Sequence, residues 1–313
     1  RRALAAACSA PCAASAAQCA GSVQVEGYDP VQVVNAKWNE PGEPIGQVSV
    51  QDDQVIAYMS GRAYFADACE EGVYDHGAYS AWSLLGKTLR FTTHLAGASC
   101  GCNAALYLVS MRQNPEVSDC EDYYCDANSV CGVRCAEVDI QEANSRAWRS
   151  TLHVADDGGG AGAGLGGGMT SFTPEEYGPG ARCIDTLLPF QVSVSFPVDS
   201  TGILQAMEVT LSQELHDCPL TLRVSDYAVG EGRDGLAELT TALAEGMAPV
   251  ISYWKSEDMG WLDGGPCDND DMECGESVRF FGFSVSPAGE RPAAAGDPGD
   301  AARPSGEDAA EAP

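Results

Sequence analysis

From Phe190 to Phe196 every second residue is large and apolar, with Gln and Ser between. That period of two puts Phe190, Val192, Val194 and Phe196 on one face of an extended strand. The same period runs through Leu89, Phe91, Thr93 and Leu95. Further short segments read as strands: Val31–Val34, Val48–Gln51, Val55–Met59, Ile203–Leu211, Leu220–Val224, Val250–Trp254 and Val278–Val285. Turn residues such as Pro41, Gly42, Pro44 and Gly46 punctuate them. Ala104–Met111 is a nearly continuous apolar run, which suits a buried strand. The best helical stripe is in Arg233–Glu245, where Leu236, Leu239, Thr240 and Leu243 share a face and Gly246 closes it. Many short strands with few helices predict an all-β chain folded as a two-sheet antiparallel β-sandwich.

A chain of 313 residues can bury a sizeable core. Three regions are expected. Residues 1–20 form an Ala- and Cys-rich arm, either a signal-peptide remnant or an N-terminal extension. Residues 21–286 carry the folded domain. Residues 287–313 are Ala, Pro, Gly and acids with no aromatic residue, the composition of a disordered tail. Asp156–Met169 is Gly-rich with no Gly-Lys-Ser/Thr ending, so it reads as a flexible surface connection and not a phosphate loop.

The chain carries 46 acidic and 17 basic residues, a formal net charge of −29. Such a surface repels phosphates, which argues against nucleic-acid and anionic-membrane partners. A neutral polysaccharide is compatible with it, and so is plain solubility. No apolar run has the length of a membrane-spanning helix. The 14 cysteines imply disulfides and an oxidising, secreted setting. Cys120, Cys125, Cys131 and Cys135 lack Cys-x-x-Cys spacing and have no His close in sequence, which disfavours zinc. No metal and no cofactor is expected.

Chemistry concentrates in Cys135–Asn144, which contains Glu137-x-Asp139-x-x-Glu142. Val138 and Ile140 alternate with the first two acids, so Glu137 and Asp139 share a strand face. Glu142 is out of phase by one residue. A bulge between Asp139 and Glu142 would restore the phase. Glu142 would then stand four positions along from Glu137, with alpha carbons roughly 13 Å apart. On a concave sheet the side chains can lean together toward the roughly 5–5.5 Å carboxylate spacing of a retaining glycosidase. The competing reading is a half-exposed strand in a very acidic protein.

Several stretches in the same order resemble glycoside hydrolase family 7, the retaining cellulases. They are Leu84-Leu-Gly-Lys87 with Cys100–Met111, Tyr124-Cys-Asp126, the acid stretch itself, Tyr177–Gly180 with Ile184-Asp-Thr186, and Gly246–Trp254 with Met259–Asp263. The resemblance covers residues 84–285 in pieces. It implies a jelly-roll (concanavalin A-like) sandwich with a concave substrate cleft, a secreted monomer, and hydrolysis of β-1,4-glucosidic bonds in cellulose or a related β-glucan. It also implies roles. Glu137 is the nucleophile, Glu142 the acid and then base, and Asp139 orients Glu137. Asn103, Tyr107, Tyr124, Asp126 and His153 border the site. Trp254 and Trp261 are sugar platforms before and after the cleaved bond, and Trp38 is a looser match to an entrance platform. Core packing is the competing reading for Tyr107 and both tryptophans, and a structural His the competing reading for His153. The 14 cysteines allow many pairings. The resemblance implies that Cys100 bridges to Cys274 or Cys267, and Cys125 to Cys135.

The chain departs from the family where tunnel-forming members roof their cleft. Between His153 and Tyr177 it has only the Gly-rich stretch, without Cys. Ala127 and Asn128 replace a polar pair, Cys131 is shifted, and the interval from Trp254 to Trp261 is short. Loss of roofing predicts an open cleft and internal cleavage. The alternatives are a cellobiohydrolase, a family 16-like β-1,3 or mixed-linkage glucanase, and a non-catalytic glucan-binding wall protein.

Overall fold

The computed structural model describes residues 16–265, 267 and 274–289. Residues 1–15 of the expected arm and 290–313 of the expected tail lie outside the described residues, as do Cys8 and Cys12. Among the described residues no helix is long and apolar enough to cross a membrane.

Two large sheets face each other. The first runs, edge to edge, Cys19–Val23, Val31–Asn35, Gly61–Ala66, Ala248–Lys255, Cys102–Val109, Glu137–Ala143, Trp148–His153, Ala161–Gly166 and Met169–Thr170. The second runs Leu220–Val224, Met207–Ser212, Phe190–Ser195, Lys87–His94, Ser277–Pro287, Gln54–Tyr58 and Val48–Gln51. Pairing within both is antiparallel, apart from the short strand Val25–Glu26, which lies parallel to Ser277–Pro287. This is the predicted two-sheet sandwich. The alternating set Phe190, Val192 and Val194 is buried, with Gln191 exposed.

The core between the sheets is built from Phe65, Phe91, Val138, Ile140, Trp148 and Phe280 among others. A second cluster lies on the other face of the first sheet. Tyr64, Tyr79, Tyr107 and Tyr124 pack there under the loop that leads to the acid strand. Disulfides Cys120–Cys131 and Cys125–Cys135 staple that loop, so the four cysteines weighed as zinc ligands are paired with each other. Cys100–Cys267, Cys102–Cys274, Cys19–Cys69 and Cys183–Cys218 complete six bridges among the described residues. They fit an oxidising compartment.

Three expectations are corrected. The helix starts at Gly235, one residue after Asp234, whose carboxylate caps the Leu236 and Ala237 N–H groups. The strand expected from Ile203 begins at Met207, because Val198 and Leu204 form a bridge ahead of it. The Gly-rich stretch is no loose connection. Ala161–Gly166 pairs with Trp148–His153 and turns back into Met169–Thr170. Its glycines are needed because another backbone crosses close by. At Gly167 (φ 58°) a Cβ would stand 1.9 Å from the Trp261 carbonyl oxygen.

Candidate active site

The acid strand Glu137–Ala143 lies between Cys102–Val109 and Trp148–His153. Across one neighbour, Glu142 faces Arg149 while Asp139 faces Thr151. Across the other, Gln141 faces Leu106 while Asp139 faces Tyr107. Both registers slip by one residue at Ile140, which is the predicted bulge. Val138 and Ile140 therefore stay in the core, and the buried Gln141 donates its amide to Thr93 on the facing sheet. Glu137, Asp139 and Glu142 all reach the opposite, concave face, where they line one cleft.

Each acid has its own partner. Glu137 Oε2 accepts the Ala127 backbone N–H at 3.0 Å. The Cys125–Cys135 bridge holds Ala127 in place, because it ties that loop to the start of the acid strand. Glu142 Oε1 accepts the Asn103 amide at 3.2 Å, and Asn103 Oδ1 accepts the Ala143 N–H. Asp139 Oδ2 lies 3.0 Å from His153 Nε2, with both side chains buried.

Burial, reinforced by the neighbouring Asp139 and Asp126 charges, pushes the Glu137 carboxyl well above the ordinary glutamate range. Burial and Asp139 push Glu142 up to about 8, against the opposing pull of Arg149, His153 and Asn103. The cluster therefore retains protons that isolated carboxylates would lose, and a charge on one acid resists ionisation of the next. Glu137 has a backbone N–H aimed at its oxygen, a group that stabilises the anion.

His153 faces acceptors with both ring nitrogens. Nε2 meets Asp139, and Nδ1 lies 3.0 Å from the Asp157 carbonyl oxygen. Only the imidazolium can donate both bonds. Burial works against that charge, but the Asp139 bond and charge outweigh it and hold the His153 pKa above its usual value. A folded-state pKa above the unfolded one adds stability that is complete below about pH 6.5 and lost as pH rises through the folded value. Replacing His153 by Ala is expected to cost roughly 2 kcal/mol at pH 5 and clearly less at pH 9. Urea unfolding at the two pH values checks this, and an equal loss at both would count against the ion pair.

No protein-family model matches the chain. Among curated proteins it is 31% identical to endoglucanase EG-1 of Hypocrea jecorina over 248 residues, covering 67% of this chain and 51% of that protein. It is 28% identical to an endo-beta-1,4-glucanase of Emericella nidulans over 281 residues, 68% of this chain and 65% of that one. The chain thus spans about half the length of the first of these relatives. Among solved structures, the native Humicola insolens endocellulase EGI superposes with a TM-score of 0.61 at 19% identity, covering 83% of this chain and 93% of that one. A family 7 cellobiohydrolase from Daphnia pulex gives 0.59 at 17% identity, with 77% and 80% covered. By sequence and by fold, the chain belongs with glycoside hydrolase family 7.

Of the remaining positions picked out by the family 7 resemblance, Tyr107, Tyr124, Asp126, His153, Trp254 and Trp261 line the cleft of the acids, whereas Trp38 and Asn103 do not. Trp254 and Trp261 are half-buried and stack on each other, with ring centroids 6.4 Å apart and 26° between planes. Both line the cleft, so neither is a core tryptophan. Trp38 is half-buried and gives its carbonyl oxygen to Arg62. Tyr107 and Tyr124 are buried at the cleft wall, joined hydroxyl to hydroxyl at 2.9 Å. Asp126 is buried, accepts the Val130 N–H, and has its pKa raised by that burial. Asn103 is 1% exposed with its amide committed to the acid strand, so it acts on Glu142 from below the cleft surface.

The sequence reading missed Arg149, Arg62, Asn39 and Ser252, all of which line the cleft. Alternation would have found Arg149, since it stands four residues before His153 on the same strand face. Ser252 likewise stands two before Trp254. Arg62 carries no local signal. Its guanidinium is buried 3.9 Å from the Tyr124 ring centre and bonds to the carbonyls of Trp38 and Asn39.

Proposed function

We propose that this chain, through the sandwich whose strands run from Cys19 to Pro287, hydrolyses β-1,4-glucosidic bonds of cellulose or a related β-glucan with retention, and cuts inside the polymer. The bulge in the acid strand carries this reading, because it brings Glu137 and Glu142 to one concave face. Glu142, kept protonated by burial, donates its proton to the leaving oxygen. Glu137, in the ionised form that the Ala127 N–H stabilises, attacks the anomeric carbon and forms a glycosyl–enzyme ester, which water opens with Glu142 as base. Asp139, expected to orient Glu137, instead pairs with His153 and sets the charge between the two glutamates, and the Ala127 N–H orients Glu137.

The cleft extends to both sides of the acids. Arg62 and Asn39 line one half, Arg149 and Trp261 the other, and Trp254 and the three acids are common to both. Acids at the middle of a cleft suit internal cleavage. Indole faces complement the apolar C–H faces of pyranose rings, so Trp254 and Trp261 seat sugars around the scissile bond. The relatives named endoglucanase support the same reading. Disulfides in the catalytic domain support a secreted protein, which we take to act as a monomer.

The test is the product profile. A soluble cellulose derivative should lose viscosity quickly and yield mixed oligomers. Mainly cellobiose would point to a cellobiohydrolase, and preference for laminarin to a β-1,3-glucanase. Binding to cellulose with no soluble sugar released would overturn hydrolysis altogether.

A further inference from the structure

Trp261 sits on a helical turn of only four residues, Gly260–Asp263. A turn that short has no stability of its own. The apolar cluster beneath it is small, made of Ala147, Met259 and Leu262 with the two tryptophans against it. Something else must fix the platform, and Asp263 is placed to do so. Its Oδ2 accepts the Gly101 N–H at 2.9 Å. Its Oδ1 accepts the Asn144 amide at 2.6 Å.

Asn144 is the residue that follows the acid strand, and it is fully buried. Its side-chain nitrogen also donates to the Cys102 carbonyl, and its side-chain oxygen accepts the N–H groups of Arg146 and Ala147. Its own carbonyl accepts the Tyr177 hydroxyl. An amide held on all sides cannot shift, so Asp263 is anchored to the rigid end of the strand that carries Glu142. From the other side, the Trp261 carbonyl accepts Arg149 Nη1 and packs against Gly167.

We propose that Asp263 is a positioning residue. Through Asn144 it holds the Trp261 platform at a fixed distance from Glu142 and so governs binding of the sugar that leaves. The role of Trp261 rests on the hydrolase reading above, whereas the placement of the turn does not.

The test uses Asp263→Ala and Asp263→Asn in the full chain, with two readouts. One is the circular-dichroism couplet of the stacked Trp254 and Trp261 indoles, assigned by its loss in Trp254→Phe. The other is kcat/KM on a soluble cello-oligosaccharide spanning the cleft, against an aryl cellobioside whose small leaving group needs no Trp261. In Asp263→Ala the couplet should collapse, the oligosaccharide value should fall about 10- to 100-fold, and the aryl glycoside should stay within about threefold. Asp263→Asn keeps one acceptor oxygen and should recover part of the loss. An intact couplet with both substrates reduced equally would overturn the proposal. If Asp263→Ala does not fold, Asp263→Asn and Gly167→Ala, whose Cβ pushes on the same turn, decide by the same readouts. A chain inactive on both substrates would refute the hydrolase reading alone, because the couplet still reports on Asp263.

Discussion

Replacing Glu137 by Gln is expected to lower release of reducing ends from a soluble cellulose derivative by about 10³-fold or more. Gln has the same shape and keeps an oxygen to accept the Ala127 N–H. It lacks the anion that attacks the anomeric carbon. The fold should not suffer, because burial and the Asp139 and Asp126 charges already disfavour the carboxylate at this place. A neutral amide relieves that repulsion. The variant should therefore unfold no earlier than the parent while turnover is lost. Activity within a few-fold of the parent would remove Glu137 as nucleophile. Loss of activity together with loss of the folded transition would leave the chemical role without support.

Part of the acid strand's geometry is legible in the sequence as a misfit. Glu142 is out of phase with Glu137 and Asp139, and a period of two leaves a bulge as the simplest repair. The structure supplies it at Ile140, in both flanking registers. The sandwich was legible for the same reason, since alternation such as Phe190 to Phe196 is a local signal of a half-buried strand. What could not be seen were contacts made across the chain. Arg62 meets the cleft only because Gly61–Ala66 lies beside Ala248–Lys255, nearly 200 positions later. The Gly-rich stretch reads from sequence as a loose connection because glycine signals both flexibility and close approach. Its reason is the Trp261 turn, whose carbonyl occupies the space of a Cβ at Gly167. Asn103 was placed by resemblance beside the cleft, and the structure sets it one layer deeper, as the donor to Glu142.

Replacing Glu142 by Gln is expected to cost about 10²- to 10⁴-fold on glucan chains, and far less on aryl glycosides whose leaving group needs no proton. The same change should make the protein more stable, by an amount that grows with pH. The folded-state pKa of about 8 lies above the ordinary value of 4.5. Between those values the folded protein binds the proton that the unfolded chain releases, so the parent loses stability as pH rises from about 4.5 to about 8. The penalty grows across that range and levels off above the folded value, where both states are ionised. Gln does not titrate and escapes it. Denaturant melts of parent and variant should nearly coincide at pH 4.5 and separate by pH 8, with the variant the more stable. The parent's turnover should fall on its alkaline side near the same pH, as Glu142 loses the proton it must donate. A stability difference that does not change with pH would show that Glu142 is ionised in the resting cleft. Its acid role, and with it the division of labour between the two glutamates, would then have to be given up.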